Sequence, residues 1–311
     1  MNHQIGIVGL GRMGGNMVLH ALEGGIDVVA YNRSRGKVDD LIVEAAALPK
    51  NDPLGKLTPA YDIETFVSSL KAPRIVWLMI PNGTPIDDML KQLISFGIEK
   101  GDIVIDGGNT YYKDTVRRNG EMQKMGIQYI DCGTSGGLEG ARHGACLMIG
   151  GDEATVHSLE WLWNAFAVKE GWAYFGPSGA GNFVKMVHNG VEYGMNEAIG
   201  EGFDILSKGP YKLDFAKVAH NWTHGSVVRS WLVELLAKTL DSDPKLDSFS
   251  GKVGGGETGK WTREAASEFG VADPVIEESI KAREKSMEKP TFAGKVVSAL
   301  RAGYGGHKEP K

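Results

Sequence analysis

The sequence of 311 residues predicts an α/β N-terminal domain followed by an all-α C-terminal domain. Three observations point there. Short apolar runs alternate with helix-length stretches through the first half. A glycine-rich turn follows the first of those runs. From Gly179 the strand signals vanish and helical periodicity continues alone. The predicted boundary lies near Ser178, which gives domains 1–178 and 179–311.

Residues 4–8 read as a buried strand that runs straight into a turn, which is not the pattern of a signal peptide. A helix over 15–23 and a strand over 26–31 complete a βαβ start. A helix is expected at 35–47, a loop rich in Pro, Asp and Lys at 48–61, and a short helix at 63–70. The apolar run 74–80 is a third strand, stopped by Pro81-Asn82-Gly83. A helix at 86–96, a strand at 103–106, a helix at 113–125 and strands at 127–131 and 145–150 follow, then a helix at 153–166. This alternation predicts a mostly parallel sheet. Beyond the boundary, helices are expected at 179–207, 214–223, 226–240, 259–269, 273–286 and 291–301. The tail 303–311 has no core-forming pattern.

Composition narrows the function. A net charge of −5 argues against a nucleic-acid-coating protein, so an anionic ligand must meet a local basic cluster. Two cysteines, Cys132 and Cys146, exclude a disulfide framework and fit a reducing compartment; each reads as a small buried hydrophobe. Metal-ligand spacing is missing, so no metal is expected. No apolar run reaches about 18 residues, so no membrane partner is expected and the cytoplasm is the default address.

Gly9, Gly11 and Gly14 form a GxGxxG pattern after a strand and before a helix, the setting of a Rossmann-type dinucleotide site. The first glycine permits the tight turn, the second lets a pyrophosphate approach the backbone, and the third lets helix and strand pack closely. The phosphates then rest on the helix N-terminus. Leu10, Arg12 and Met13 belong to the same loop. Asn32-Arg33-Ser34 ends the second strand, where NAD sites usually carry an acid for the ribose hydroxyls. Here no acid repels a 2′-phosphate; Arg33 can pair with it and stack on adenine, and Ser34 can donate a hydrogen bond. NADP is therefore expected ahead of NAD, which stays admissible if Arg33 is only surface charge.

Lys185, His188, Asn189 and Glu192 fall on one helical stripe at about 100° per residue. An amine and a carboxyl group two turns apart can move protons on two atoms of one substrate. A solvated helix face is the plain alternative, and the dinucleotide site upstream weighs against it.

Further motifs carry a family resemblance. They are Asp106-Gly107-Gly108-Asn109, Ser135-Gly136-Gly137, the run Lys185-Met186-Val187-His188-Asn189-Gly190-Val191-Glu192-Tyr193-Gly194, Gly259-Lys260-Trp261-Thr262, Arg283, and the closing Arg301, Gly305 and His307. With the fingerprint, they make the chain similar to the 6-phosphogluconate dehydrogenases, the decarboxylating enzymes of the oxidative pentose phosphate route. It resembles the short type, with one set of C-terminal helices. It departs at Ile80-Pro81-Asn82-Gly83, where many long members have Val-Lys-Ala-Gly.

The resemblance implies oxidation and decarboxylation of 6-phosphogluconate to ribulose 5-phosphate, with hydride passing to NADP or NAD and no metal. Lys185 would be the base at the carbon-3 hydroxyl. A free amine titrates near about 10.4, so it must be tuned downward to act near neutrality. Its ammonium would then polarise the new carbonyl as carbon dioxide leaves. Glu192 would protonate carbon 1 of the enediol, with His188 and Asn189 orienting the substrate. Ser135, Gly136 and Gly137 would hold the carboxylate end, Asn109 would touch substrate and cofactor, and Met13 and Met79 would complete the cofactor site. Lys260, Arg283, Arg301 and His307, with the Tyr193 hydroxyl, would hold the phosphate. In the family the tail enters the neighbouring subunit's site, which implies a homo-oligomer, at least a dimer, with Arg301 and His307 acting on the partner. One rival is a β-hydroxyacid dehydrogenase, which shares the fold, fingerprint and lysine but has no general need for Glu192 or the cation cluster. The other is a nicotinamide-binding sensor without turnover, which intact Lys185 and Glu192 oppose.

Overall fold

The computed structural model describes residues 3–49 and 54–310. Met1 and Asn2 of the opening, residues 50–53 of the expected loop and Lys311 of the expected tail lie outside the described residues. The chain divides into two compact units, the first ending at Lys185 and the second beginning at Met186. The expected boundary at Ser178 stands in the loop just before the helix that contains this division.

The first unit contains β1 (Gln4–Val8), α1 (Arg12–Glu23), β2 (Asp27–Tyr31), α2 (Arg35–Ala46), β3 (Leu57–Ala60), α3 (Ile63–Ser68), β4 (Ile75–Leu78) and α4 (Thr84–Ser95). It continues with β5 (Ile103–Asp106), α5 (Tyr112–Gln123), β6 (Gln128–Ser135), α6 (Gly137–His143), β7 (Ala145–Gly150), α7 (Glu153–Ser158), α8 (Glu160–Phe166) and β8 (Ala167–Gly176). The strands form one sheet in the order β3-β2-β1-β4-β5-β6-β7-β8. Every pairing is parallel except β6 with β7. Successive strand residues feed opposite faces. Ile5, Ile7, Val28, Trp77 and Ile105 pack with Met17, Leu22, Trp163 and Phe166 on one side. Val8, Val29, Val76, Leu78 and Val104 pack with Phe66, Leu90, Leu93 and Met122 on the other. Strands covered on both faces must be apolar throughout, which is why these read as unbroken hydrophobic runs. The strand order reverses between β1 and β4, and such a switch point opens a crevice at the strands' carboxyl ends.

Helix α9 (Ala180–Lys208) begins in the first unit and runs on into the second. The second unit adds α10 (Phe215–Thr223), α11 (Trp231–Ser242), α12 (Glu257–Glu268), α13 (Pro274–Ser286) and α14 (Phe292–Gly305). Phe203, Ala219, Leu236, Leu240, Val296 and Leu300 form its core. No described helix is long and apolar enough to cross a membrane.

Several elements differ from expectation. Part of the expected loop 48–61 is strand β3, which contains Pro59. It lies at the sheet edge, where a residue without an N–H is tolerated on the unpaired side. The ten-residue strand β8 was not expected at all. Its pairing to β7 jumps from Ala145↔Ala167 to Leu147↔Trp172, and Glu170 has φ of 61°, so a bulge breaks the alternation a reader would look for. Helix α6 was hidden by Gly137 and Gly140, poor helix formers. Helix α11 starts only at Trp231, where Ser230 accepts a hydrogen bond from the Val233 N–H; residues 226–229 precede it. Cys146 is exposed rather than buried, on the opposite side of β7 from buried Ala145 and Leu147.

The tail also differs. Helix α14 runs through Gly305, and Gly306 ends it in the left-handed region at φ 57°. The helix expected over 291–301 therefore extends through the first three residues of the expected tail, 303–305. Beyond it, the Glu309 carboxylate accepts from the Ser250 and Gly251 N–H groups at 2.7 and 2.9 Å, so the polar tail is held by hydrogen bonds.

Candidate active site

In the first unit the glycine turn stands at the switch point. Gly9 leaves β1 with φ of 99°, and a Cβ there would lie 2.4 Å from the Met79 carbonyl oxygen after β4. A Cβ on Gly14 would lie 1.9 Å from the Gly9 carbonyl oxygen. Gly11 is the opposite case: it is exposed, and a Cβ there would meet nothing within 4 Å. Gly11 caps α1 without a side-chain bond, and the first turn carries no acid. The N-terminal turn thus carries positive helix-dipole character beside the open space at Gly11, a fit for pyrophosphate oxygens. Arg12 is exposed on this turn and Met13 is half-buried against the core.

Asn32 holds the turn from the side. Its Oδ1 accepts from the Leu10 N–H at 2.9 Å, and its Nδ2 donates to the Ser34 carbonyl at 3.2 Å. That amide is committed to the loop, a role the sequence did not reveal. Arg33 and Ser34 are exposed beside it, at the start of α2.

Further along the sheet, Asp106 ends β5 fully buried. It accepts from the Tyr129 hydroxyl (2.9 Å), the Thr110 hydroxyl (3.1 Å) and the Gly108 N–H (3.3 Å), which fixes the turn that displays exposed Asn109. Burial pushes the Asp106 carboxyl up. Ser135 ends β6, and Gly136 with φ of 114° and Gly137 with φ of 58° open α6.

Asp131, midway along β6, anchors α9. It accepts from the Gly179 and Asn182 N–H groups, each at 2.8 Å, and the Asn182 side chain donates to the Thr115 hydroxyl at 2.9 Å. Lys185 follows one turn later and is buried. A Cβ on Gly133 would lie 2.4 Å from the Lys185 Cβ, so the lysine stem lies directly on the β6 backbone. Burial pushes the Asp131 carboxyl up to about 6, against the pull of the two N–H bonds. The folded state therefore holds this proton more tightly than the unfolded chain, whose ordinary value is 3.8. Its stabilising contribution is full below that value and declines as pH rises through about 6. Asp131→Asn removes the titration, so wild-type stability measured against the variant should fall by roughly 2 kcal/mol between about pH 4 and pH 7. Chemical denaturation at both pH values checks this, and a pH-independent difference would refute it.

In the second unit, α9 continues with half-buried His188, buried Asn189, half-buried Glu192 and buried Tyr193, while Val187, Val191 and Met195 are exposed on another side. The His188 Nδ1 and Asn189 Oδ1 lie 3.2 Å apart. The Tyr304 hydroxyl of α14 donates to the Glu192 Oε1 at 2.6 Å. Asn196 Nδ2 lies 3.4 Å from the same oxygen and 3.3 Å from the Tyr304 hydroxyl. The Arg283 guanidinium sits 3.4 Å from the centre of the Tyr193 ring. Arg283 is buried, and among the described residues its Nε and Nη2 have no hydrogen-bond partner. Burial, with Arg301 nearby, holds it below the usual arginine range. Two neighbouring guanidiniums, one with unspent donors, are set up to receive an anion. Glu197, half-buried on α9, is pushed up to about 7 by burial and by Glu201.

His307 is exposed, with its ring 6.0 Å from the Tyr304 ring. Lys260 is not brought into this group. It is exposed on α12, with its Nζ 3.9 Å from a Glu284 carboxylate oxygen. Tyr304, Asn196, Asp131 and Gly133 are the residues that sequence reasoning missed. Asn196 was legible in principle, one further turn along the 185–189–192 stripe. Among the described residues, no three His, Cys, Asp or Glu side chains gather as a metal site.

A glycine turn at the switch point of a parallel sheet, followed by a long helix that carries an amine and then, in the helical unit, a carboxyl, defines an NAD(P)-binding oxidoreductase. Residues 4–175 match the NAD-binding domain of 6-phosphogluconate dehydrogenase, and residues 181–300 match that family's C-terminal domain. The chain belongs to the 6-phosphogluconate dehydrogenase family. It is 43% identical over 308 residues to the Bacillus subtilis protein YqeC, provisionally named a 6-phosphogluconate dehydrogenase, covering 99% of both chains. It is 38% identical over 307 residues to an NAD(+)-dependent, decarboxylating 6-phosphogluconate dehydrogenase of Haloferax volcanii, covering 98% of both. Among solved structures, Plasmodium falciparum 6-phosphogluconate dehydrogenase, determined with NADP+ and with 6-phosphogluconate, superposes with a TM-score of 0.82 at 31% identity. That match covers 92% of this chain and 62% of the longer one.

Proposed function

We propose that the chain catalyses the NADP-linked oxidative decarboxylation of 6-phosphogluconate to ribulose 5-phosphate. The observation that carries this reading is the build of α9. It holds a buried amine at Lys185 and, two turns on, a carboxyl at Glu192 secured by a tyrosine hydroxyl. The bound nicotinamide supplies a hydride acceptor. Lys185 takes the proton of the carbon-3 hydroxyl, and its ammonium then hydrogen-bonds the carbonyl that forms there. That bond draws electron density toward the oxygen as the carboxylate leaves as carbon dioxide. Glu192 delivers a proton to carbon 1 of the resulting enediol. His188 and Asn189 orient the substrate, and Ser135, Gly136, Gly137 and Asn109 receive its carboxylate end. Arg283 and Arg301 receive the phosphate, with His307 and the Tyr193 hydroxyl, and Lys260 would join them only by leaving Glu284.

Gly9 to Gly14 and Met79 would hold the nucleotide, with Asn32 bracing the loop. Exposed Arg33, with Ser34 beside it, supports NADP over NAD. Initial rates with 6-phosphogluconate and either nucleotide, with carbon dioxide measured alongside, test the whole reading. Hydride transfer without carbon dioxide would instead identify a β-hydroxyacid dehydrogenase. Arg33→Ala should raise KM for NADP by about tenfold and KM for NAD by a clearly smaller factor, since NAD loses only the stacking on adenine whereas NADP also loses the partner of its 2′-phosphate. Equal losses for both nucleotides would remove Arg33 as the discriminator.

A homo-oligomer, at least a dimer, is part of the proposal, supported by the exposed apolar side chains Val191, Met195 and Ile205 on α9. Exchange of the tail between copies is implied by the resemblance alone; here Tyr304 bonds Glu192 of its own chain. Mixed assemblies of Arg301→Ala and Lys185→Met chains distinguish the two arrangements, because only an exchanged tail restores turnover.

A further inference from the structure

The Tyr304 hydroxyl and the Asn196 amide both fall on one oxygen of Glu192, Oε1. No hydrogen bond from a described residue reaches the other oxygen, Oε2. Asn196 is fully buried, and its amide also reaches the Tyr304 hydroxyl at 3.3 Å. The three groups form a closed triangle built from two helices, α9 and α14. We propose that Tyr304, braced by Asn196, is a positioning residue for the acid step: it grips Glu192 by Oε1 and thereby dedicates Oε2 to proton transfer at the substrate carbon. This rests on the reading of Glu192 as the acid.

The chemistry favours such a division. A carboxyl group that swivels presents either oxygen and spends its proton on whichever neighbour is nearest. A short bond from a hydroxyl fixes the carboxyl plane and occupies the lone pairs of one oxygen, so the proton resides on the other. Burial and the adjacent Glu192 hold the Tyr304 hydroxyl well above the usual phenol range, so it remains a donor through any workable assay pH. Small misplacements of a catalytic group cost up to about a hundredfold in rate, so a residue that only aims the carboxyl has a measurable effect.

The step is isolated by running it backward. Ribulose 5-phosphate in deuterium oxide, with the full chain and reduced nucleotide, exchanges its carbon-1 hydrogen when Glu192 Oε2 takes that proton, leaves the electron pair in the enediol, and returns a deuteron. Nuclear magnetic resonance reads the exchange. Tyr304→Phe removes one oxygen and keeps the ring. It should slow exchange by about tenfold or more, with KM for 6-phosphogluconate within about twofold and melting close to wild type. Tyr304→Leu should slow exchange by a similar factor, because both variants lack the hydroxyl. If Phe restores the wild-type rate where Leu loses it, the ring merely packs and the proposal is overturned. A rise in KM with exchange unchanged overturns it as well. Glu192→Gln separates the two levels. Its loss of exchange supports the acid reading, whereas wild-type exchange in that variant removes Glu192 as the acid and Tyr304's role with it.

Discussion

Lys185→Met should bind NADP as tightly as the wild type and turn over at least about a thousand times more slowly, within the usual range for removing a general base. Methionine keeps most of the stem that lies on Gly133, so α9 keeps its seat and the loss isolates the amine. The Asp131 bonds to the Gly179 and Asn182 N–H groups are untouched, so melting should stay near wild type. Nucleotide titration and single-turnover hydride transfer measure the two halves. Retained turnover would remove Lys185 as the base, and lost nucleotide binding would make it a cofactor residue.

The glycine turn gives the second large effect, in the form of a contrast. Gly14→Ala places a methyl 1.9 Å from the Gly9 carbonyl oxygen, a backbone atom that cannot swing away. The turn must shift, at about 1–3 kcal/mol, which lowers the melting temperature by several degrees and weakens nucleotide binding at least about tenfold. Gly11→Ala meets nothing within 4 Å among the described residues, so its melting should match wild type. Yet its methyl enters the space where a pyrophosphate would approach, and nucleotide affinity should fall there as well. Thermal melts and titrations of the two variants separate crowding within the chain from crowding of the ligand. If Gly11→Ala bound nucleotide normally, the phosphate site would have to lie elsewhere.

What could be read beforehand follows from how each feature is encoded. Central strands are covered on both faces, so β1, β2, β4 and β5 announced themselves as apolar runs bounded by turns. Edge strands carry no such demand. Pro59 and a bulge at Glu170 therefore concealed β3 and β8. The stripe on α9 was legible because helical spacing is local, and the structure places Lys185 and Asn189 in the protein interior. The groups that secure it come from elsewhere in the chain. Asp131 lies 48 residues before Gly179, and Tyr304 lies 112 residues after Glu192, distances over which no periodicity speaks. Arg283 was visible as a cation, but its stacking on Tyr193 and its unspent donors were not. Lys260 shows the converse: a motif residue of the right charge whose side chain is engaged at the surface.

The continuity of α9 has a geometric corollary. An α-helix climbs about 1.5 Å per residue and turns about 100°, so positions 185 and 192 are set some 10 Å apart along the helix. Their separation is dictated by helical pitch. Between positions 185 and 192 the count of residues is thus under stricter constraint than their chemistry: a single insertion would swing the carboxyl a quarter-turn out of line, however well the rest of the molecule folded.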